Sequence, residues 1–310
     1  MIDFRPIFFI LGILLTTLAF GMSIPAFADA IVGHPDWKVF AGAASVTLFV
    51  GVTLILTHHS GRVRITLRQA FLLTTLSWLV VACFGALPFA FSDFNLSFTD
   101  AFFEAMSGVT TTGATVMTGL DNAPPGILLW RALLQWLGGI GIIVMAVAVL
   151  PMLQVGGMQL FRMESSDRSE KVLPRVTQIA AAIGTIYVVI TVACAAAYWL
   201  AGMNQLEAIA HSMTTIATGG FSTSDGSVGH FDSAAIDWIA VLFMIAGSMP
   251  FVLYLQMVRG NVGALLRDTQ VRWFLIITAT CVIAMVLWRT LNADVGFGEG
   301  LRYATFNVVS

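Results

Sequence analysis

Apolar residues run without alternation through seven segments of the chain, roughly 6–26, 37–57, 70–91, 126–150, 179–201, 235–258 and 273–291. A helix needs about 20 apolar residues to cross a bilayer, and each segment is close to that length or longer. Transmembrane strands would alternate in polarity with a period of two, so the pattern predicts helices. Between the third and fourth segments lies a shorter apolar stretch, Ala101–Met106, preceded by Ser97 and Thr99 as candidate N-caps and by Asp100 in the first turn. At about 10 residues this helix is too short to span and is predicted to be re-entrant. It leads into a polar, Gly- and Thr-rich run, Met106-Ser107-Gly108-Val109-Thr110-Thr111-Thr112-Gly113-Ala114-Thr115.

The pattern repeats. An offset of 107 residues lays Asp100 on Glu207, Met106 on Met213, Thr111 on Thr218, Gly113 on Gly220 and Thr115 on Ser222, with short helix, polar loop and flanking spans in the same order. A third unit opens with span 273–291 and continues through Leu301–Ser310. At the same spacing the third filter glycine is expected about five residues beyond Ser310, so the native protein is expected to be longer and this chain alone not to conduct. The predicted organisation is an N-terminal transmembrane hairpin over 1–68, a first pore repeat with a cytoplasmic linker over 69–175, a second pore repeat over 176–270 and the start of a third over 271–310. The fold class is thus an all-α polytopic membrane protein of tandem helix–pore-loop–helix repeats preceded by an N-terminal transmembrane hairpin.

The first span has a rival reading as a signal peptide, because Ala26-Phe27-Ala28 resembles a cleavage site and Arg5 a basic n-region. Its apolar run exceeds the usual h-region of about 7–15 residues and Asp3 offsets Arg5, which favours a retained span. Pro124-Pro125-Gly126 opens the fourth span, where proline is tolerated in a first turn. Within it Gly138, Gly139 and Gly141, like Gly247 in the sixth span, permit close helix packing or a hinge.

Composition agrees with the pattern: 58% of the 310 residues are hydrophobic and 10% charged, against roughly 25% charged in soluble domains. The net charge of −2 and the lack of a basic cluster offer no nucleic-acid surface. Cys83, Cys194 and Cys281 are far apart and fit neither a zinc site nor a disulfide framework. The pair His58-His59 lacks the partners a metal site needs and reads as a plain helix end.

Charge orients the spans. Eleven of the 15 Lys and Arg, from Arg5 through the stretches 62–68 and 162–175 to Arg272, fall on one side, with Lys38, Arg131, Arg289 and Arg302 as exceptions. The positive-inside rule places that side, and the N-terminus, in the cytoplasm. Twelve of the 17 acidic residues, Glu104 and Asp225 among them, fall on the other, where an acidic vestibule would concentrate cations and ordinary solvated loops are the plainer reading. The mixed-sign linker 154–176 reads as a solvated surface or a docking site for a cytoplasmic partner.

The Thr/Gly loops carry the candidate chemistry. An ion in a membrane needs oxygens that replace its hydration shell, and rings of backbone carbonyls supply them. Unpaired backbone is tolerated in a bilayer only where it lines a water-filled cavity. Threonine favours extended backbone and adds a hydroxyl, and glycine lets a carbonyl turn inward. The re-entrant helix would direct its C-terminal dipole, about half a negative charge, at a cation. On this reading Thr110, Thr111, Thr112 and Gly113, with Ala217, Thr218, Gly219 and Gly220, offer ligands to a potassium ion. A Gly-terminated helix followed by a turn is the bland alternative for a single copy.

These residues also carry a family resemblance. Phe102–Thr115, Trp130-Arg131-Ala132-Leu133-Leu134-Gln135-Trp136-Leu137-Gly138-Gly139-Ile140-Gly141 and Ala217-Thr218-Gly219-Gly220-Phe221-Ser222 resemble the Trk/Ktr/HKT superfamily of potassium transporters over the whole chain. The resemblance implies four helix–pore-loop–helix repeats around one potassium pathway in the cytoplasmic membrane of a bacterium. Each repeat would contribute one filter glycine, here Gly113 and Gly220. It further implies a homodimer and a cytoplasmic nucleotide-binding regulatory subunit of the TrkA type. No cofactor is expected; potassium is the cargo. Proton- or sodium-coupled symport would need an intramembrane ionisable group, for which Arg131 is the main candidate. A structural or assembly subunit is the alternative from another class. His-Glu-x-x-His and Gly-x-Ser-x-Gly motifs are absent from the sequence, so an enzyme is not expected.

Overall fold

The computed structural model describes residues 3–59, 66–153, 172–292 and 296–310. The linker 154–171 and the basic residues Arg62 and Arg64 lie outside the described residues, and the docking surface expected there with them. The described residues are helical, with no strand among them. They fall into two compact units, one of Met1–Arg168 with Phe221–Asp225, the other of Ser169–Gly220 with Gly226–Ser310.

The first unit opens with α1 (Arg5–Val32) and α2 (Trp37–His58), an antiparallel hairpin. The helices meet at glycines: a Cβ on Gly12 would come within 2.7 Å of the Gly51 carbonyl, and one on Gly51 within 2.7 Å of Thr16 Oγ1. Lipid tails are as apolar as leucine, so close backbone approach at small residues drives such pairing. α1 runs on through Ala26-Phe27-Ala28 to a left-handed cap at Gly33 (φ +78°). His58 and His59 stack on Phe8 and Phe9, with ring centroids 5.0 and 5.6 Å apart. In the α1–α2 turn His34 lies 3.9 Å from the carboxylates of both Asp36 and Asp93. Burial, then the neighbouring Asp93 carboxylate, push Asp36 above the usual carboxylate range.

Next come α3 (Leu67–Gly85), α4 (Leu87–Phe91), α5 (Phe98–Val109) and α6 (Pro125–Leu153). A capping box starts α3: Thr66 accepts the Gln69 N–H, while Gln69 Oε1 accepts the Thr66 N–H at 2.8 Å. α6 is anchored near its start, where the buried Asp29 accepts the Gly126 N–H at 2.6 Å and Trp130 Nε1 donates to the Gly85 carbonyl at 2.9 Å.

The second unit holds α7 (Val172–Leu200), α8 (Gln205–Ile216), α9 (Ala234–Ser248), α10 (Phe251–Val258), α11 (Ala264–Arg267), α12 (Thr269–Asn292) and α13 (Phe297–Val309). The apolar run 235–258, expected as one span, is two helices bent by 89°. Its continuous hydropathy hid the break, and Pro250 makes it. Proline has no N–H to continue a helix and drives the preceding residue out of the helical region; Met249 is extended at φ −76°, ψ 147°. Tyr254 Oη donates to the Ala246 carbonyl at 2.8 Å across the corner. Among the described residues five helices are long and apolar enough to cross a membrane, six if the bent pair is one span.

Candidate filter loops and their support

The two Thr/Gly loops have the same backbone. In the first unit Ser97 caps α5 by accepting the Asp100 N–H at 3.2 Å. In the second, Asn204 caps α8 by accepting the Glu207 N–H at 2.9 Å. At the far end of α5 the N–H groups of Thr110, Thr111 and Thr112 donate to the carbonyls of Met106, Gly108 and Ser107. At the far end of α8 those of Ala217, Thr218 and Gly219 donate to Met213, Thr215 and Thr214, each 107 positions on. These wrap-around bonds occupy three of the four orphan carbonyls at the end of each helix. They also force two left-handed residues per loop: Thr111 (φ +56°) and Gly113 (φ +79°), then Thr218 (φ +50°) and Gly220 (φ +81°).

A β-branched residue in the left-handed region is a genuine outlier and stores roughly 1–3 kcal/mol. Both loops hold a threonine there. Among the described residues the carbonyls of Thr110, Thr111, Thr112 and Gly113 accept no hydrogen bond, and the next one, of Ala114, accepts from Ser107 Oγ. In the other loop the Ala217 carbonyl accepts from Thr218 Oγ1 at 2.8 Å. In the first loop the strained turn thus leaves a row of oxygens bare among the described residues.

Support for the first loop centres on Glu104 and Arg131, a pair that the sequence does not announce. Glu104 was expected on the outward side, and Arg131 was the main candidate for the intramembrane ionisable group that coupled symport would need. Instead they form an ion pair, Nε to Oε1 2.8 Å, with side chains 0% and 1% exposed. Glu104 also accepts the Thr115 hydroxyl at 2.8 Å and the Val116 N–H at 3.1 Å. Arg131 donates to Thr115 Oγ1 at 3.0 Å and to the Ser222 carbonyl at 2.7 Å, and its guanidinium lies 4.2 Å from the Phe221 ring centroid. Gln135 Oε1 accepts the Phe221 N–H, and Asp225 accepts the N–H groups of Gly119 and Leu120. The pair therefore clamps the segment leaving the first loop together with residues 221–225. One signal was available: a carboxylate inside a short apolar helix and an arginine inside a span must each find a partner.

The position 107 residues after Glu104 is His211, whose ring sits edge-on to Tyr198 and Phe231 at 6.4 and 5.3 Å. Its Nδ1 lies 2.9 Å from the Glu207 carbonyl. The two copies share backbone but not the charged clamp.

The glycines of the spans differ in role. A Cβ on Gly138 would run into the Val109 carbonyl at the end of α5, and one on Gly247 would come within 2.7 Å of the Ile216 carbonyl at the end of α8. Gly141 has open space around it, and Gly139 lies in α6 between these positions. Gly138→Ala is expected to destabilise the protein by about 1–3 kcal/mol through overpacking, and Gly141→Ala to be tolerated. Thermal melting of the two variants in detergent checks this; equal melting would sink it.

The chain matches the TrkH family, described as cation transport proteins, over residues 36–294. It is 42% identical to the Trk system potassium uptake protein TrkI of Halomonas elongata, covering 98% of this chain and 62% of that one. It is 42% identical to the Trk system potassium uptake protein TrkH of Escherichia coli, covering 92% and 60%. The crystal structure of the potassium transporter TrkH from Vibrio parahaemolyticus superposes with a TM-score of 0.91 at 38% identity, over 99% of this chain and 64% of that chain. The chain thus spans about three fifths of the length of these relatives. With its helix order, its paired loops and these matches, the chain belongs to the TrkH family of cation transport proteins.

Proposed function

We propose that the complete protein is the membrane subunit of a potassium uptake system, and that Thr110–Gly113 and Ala217–Gly220 each contribute one wall of its selectivity filter. The observation that carries this is the recurrence, 107 residues apart, of a strained turn with left-handed Thr and Gly, which in the first copy leaves four carbonyls without hydrogen bonds. Bare carbonyls at the C-terminus of a short helix favour a dehydrated cation, both as ligands and through the helix dipole. The relatives' names, which state potassium uptake, agree. The homodimer, the TrkA-type regulatory subunit and the cytoplasmic N-terminus belong to this proposal as implied by the family and the charge asymmetry.

Passage without coupling is favoured over proton- or sodium-coupled symport, because the ion pair with Glu104 holds Arg131 as a fixed strut. Two measurements test the reading. The full-length protein is expected to restore growth at low potassium in a bacterium lacking its own uptake systems. In a bilayer, its reversal potential is expected to follow potassium and to stay put when pH changes at fixed potassium. A shift with pH would establish coupling instead.

A further inference from the structure

We propose that the groove between the first half of α2 and α4 binds an anionic phospholipid, with an acyl chain along the groove and the headgroup phosphate on Lys38. The groove has a volume of ≈ 380 Å³. Lys38, Gly42, Ala43 and Val46 line it on one face of α2, and Leu87 and Phe91 line it from α4. Gly42 opens it: a Cβ there would meet nothing within 4 Å. Val46 and Phe91 are 54% and 71% exposed, so the slot is open to whatever surrounds the helices. In a bilayer that is hydrocarbon.

The wall is apolar save for Lys38, which sits at the end where α2 begins. It forms no ion pair among the described residues, and its nearest charged neighbour in sequence, Asp36, is buried and faces His34. The Lys38 ammonium lies 6.0 Å from the ring of the exposed Trp37, and a Trp–Lys pair at a helix start is the signature of the membrane interface. The hydrocarbon slot thus ends in an unpaired cation at headgroup depth. A phospholipid fills the slot and neutralises the amine with one molecule.

Native mass spectrometry of the full-length protein, released from nanodiscs containing phosphatidylglycerol and phosphatidylcholine with the same chains, tests this. One phosphatidylglycerol per protomer is expected to be retained in preference to phosphatidylcholine. Lys38→Gln, at an exposed position, is expected to reduce the preference about fivefold, as one basic residue near an anionic surface contributes. Gly42→Phe is expected to displace both lipids with unchanged thermal melting, since its side chain points into open space. Equal retention of the two lipids overturns the proposal, as does a Lys38→Gln preference equal to that of the unaltered protein. So does retention of phosphatidylglycerol by Gly42→Phe, and if the oligomeric state changes as well, a second copy covers the groove.

Discussion

Gly113→Ala in the complete protein is expected to lower the preference for potassium over sodium about tenfold, and Gly220→Ala to do the same. Both glycines are left-handed, at φ +79° and +81°. A Cβ costs about 1–2 kcal/mol in that region because it crowds the following carbonyl oxygen. The chain can relieve that cost only by rotating the adjoining peptides, which swings carbonyls away from where the filter proposal needs them. Selectivity is a difference between two ion-binding free energies, so a misplaced oxygen erodes it before it abolishes passage. Gly33→Ala is the control: φ is +78°, the site is the C-cap of α1, and a Cβ meets nothing within 4 Å. It should show a similar backbone cost with unchanged ion preference. Rubidium and sodium fluxes into proteoliposomes read all three variants. Unchanged ratios for Gly113→Ala would remove that residue from the filter.

The sequence alone placed the long apolar helices, the short helix α5 and the two loops, because each has a one-dimensional signature. Length and hydropathy report a long apolar helix, and a capped but brief apolar stretch reports a short one. A shared offset relates Thr111 to Thr218 and Gly113 to Gly220. The left-handed threonines were not legible, since threonine disfavours that conformation and only the hydrogen bonds at the ends of α5 and α8 impose it. The corner at Pro250 was missed, because the apolar run on either side of it is continuous in hydropathy. Glu104 was misplaced because counting charges along the chain assigns a side of the membrane and says nothing of burial. Its partner Arg131 lies 27 residues away, a pairing that only the packing of α5 on α6 creates.

Glu104→Gln and Arg131→Met are each expected to destabilise the protein by about 3–5 kcal/mol, the range seen when one partner of a buried ion pair is removed. The first leaves a guanidinium buried beside a neutral amide. The second leaves a carboxylate whose remaining partners are the Thr115 hydroxyl and the Val116 N–H. The double variant is expected to recover part of the loss, because neither charge is then stranded and the side chains remain close in volume. Melting in detergent with a double-mutant cycle measures the coupling; additive losses would show that the pair does not act as one. The cycle also separates strut from coupler. A strut acts on the segment Thr115–Val116 and on the Ser222 carbonyl, so its loss should lower stability and ion preference together. A coupling group would change the dependence of flux on pH or sodium in single variants that still fold. His211 sharpens the contrast: at the position equivalent to Glu104 its ring packs edge-on against Tyr198 and Phe231, so His211→Glu would bury a carboxylate among aromatic rings. If His211→Glu destabilises as much as Glu104→Gln, the need for a paired charge at this position follows from burial and not from ion chemistry.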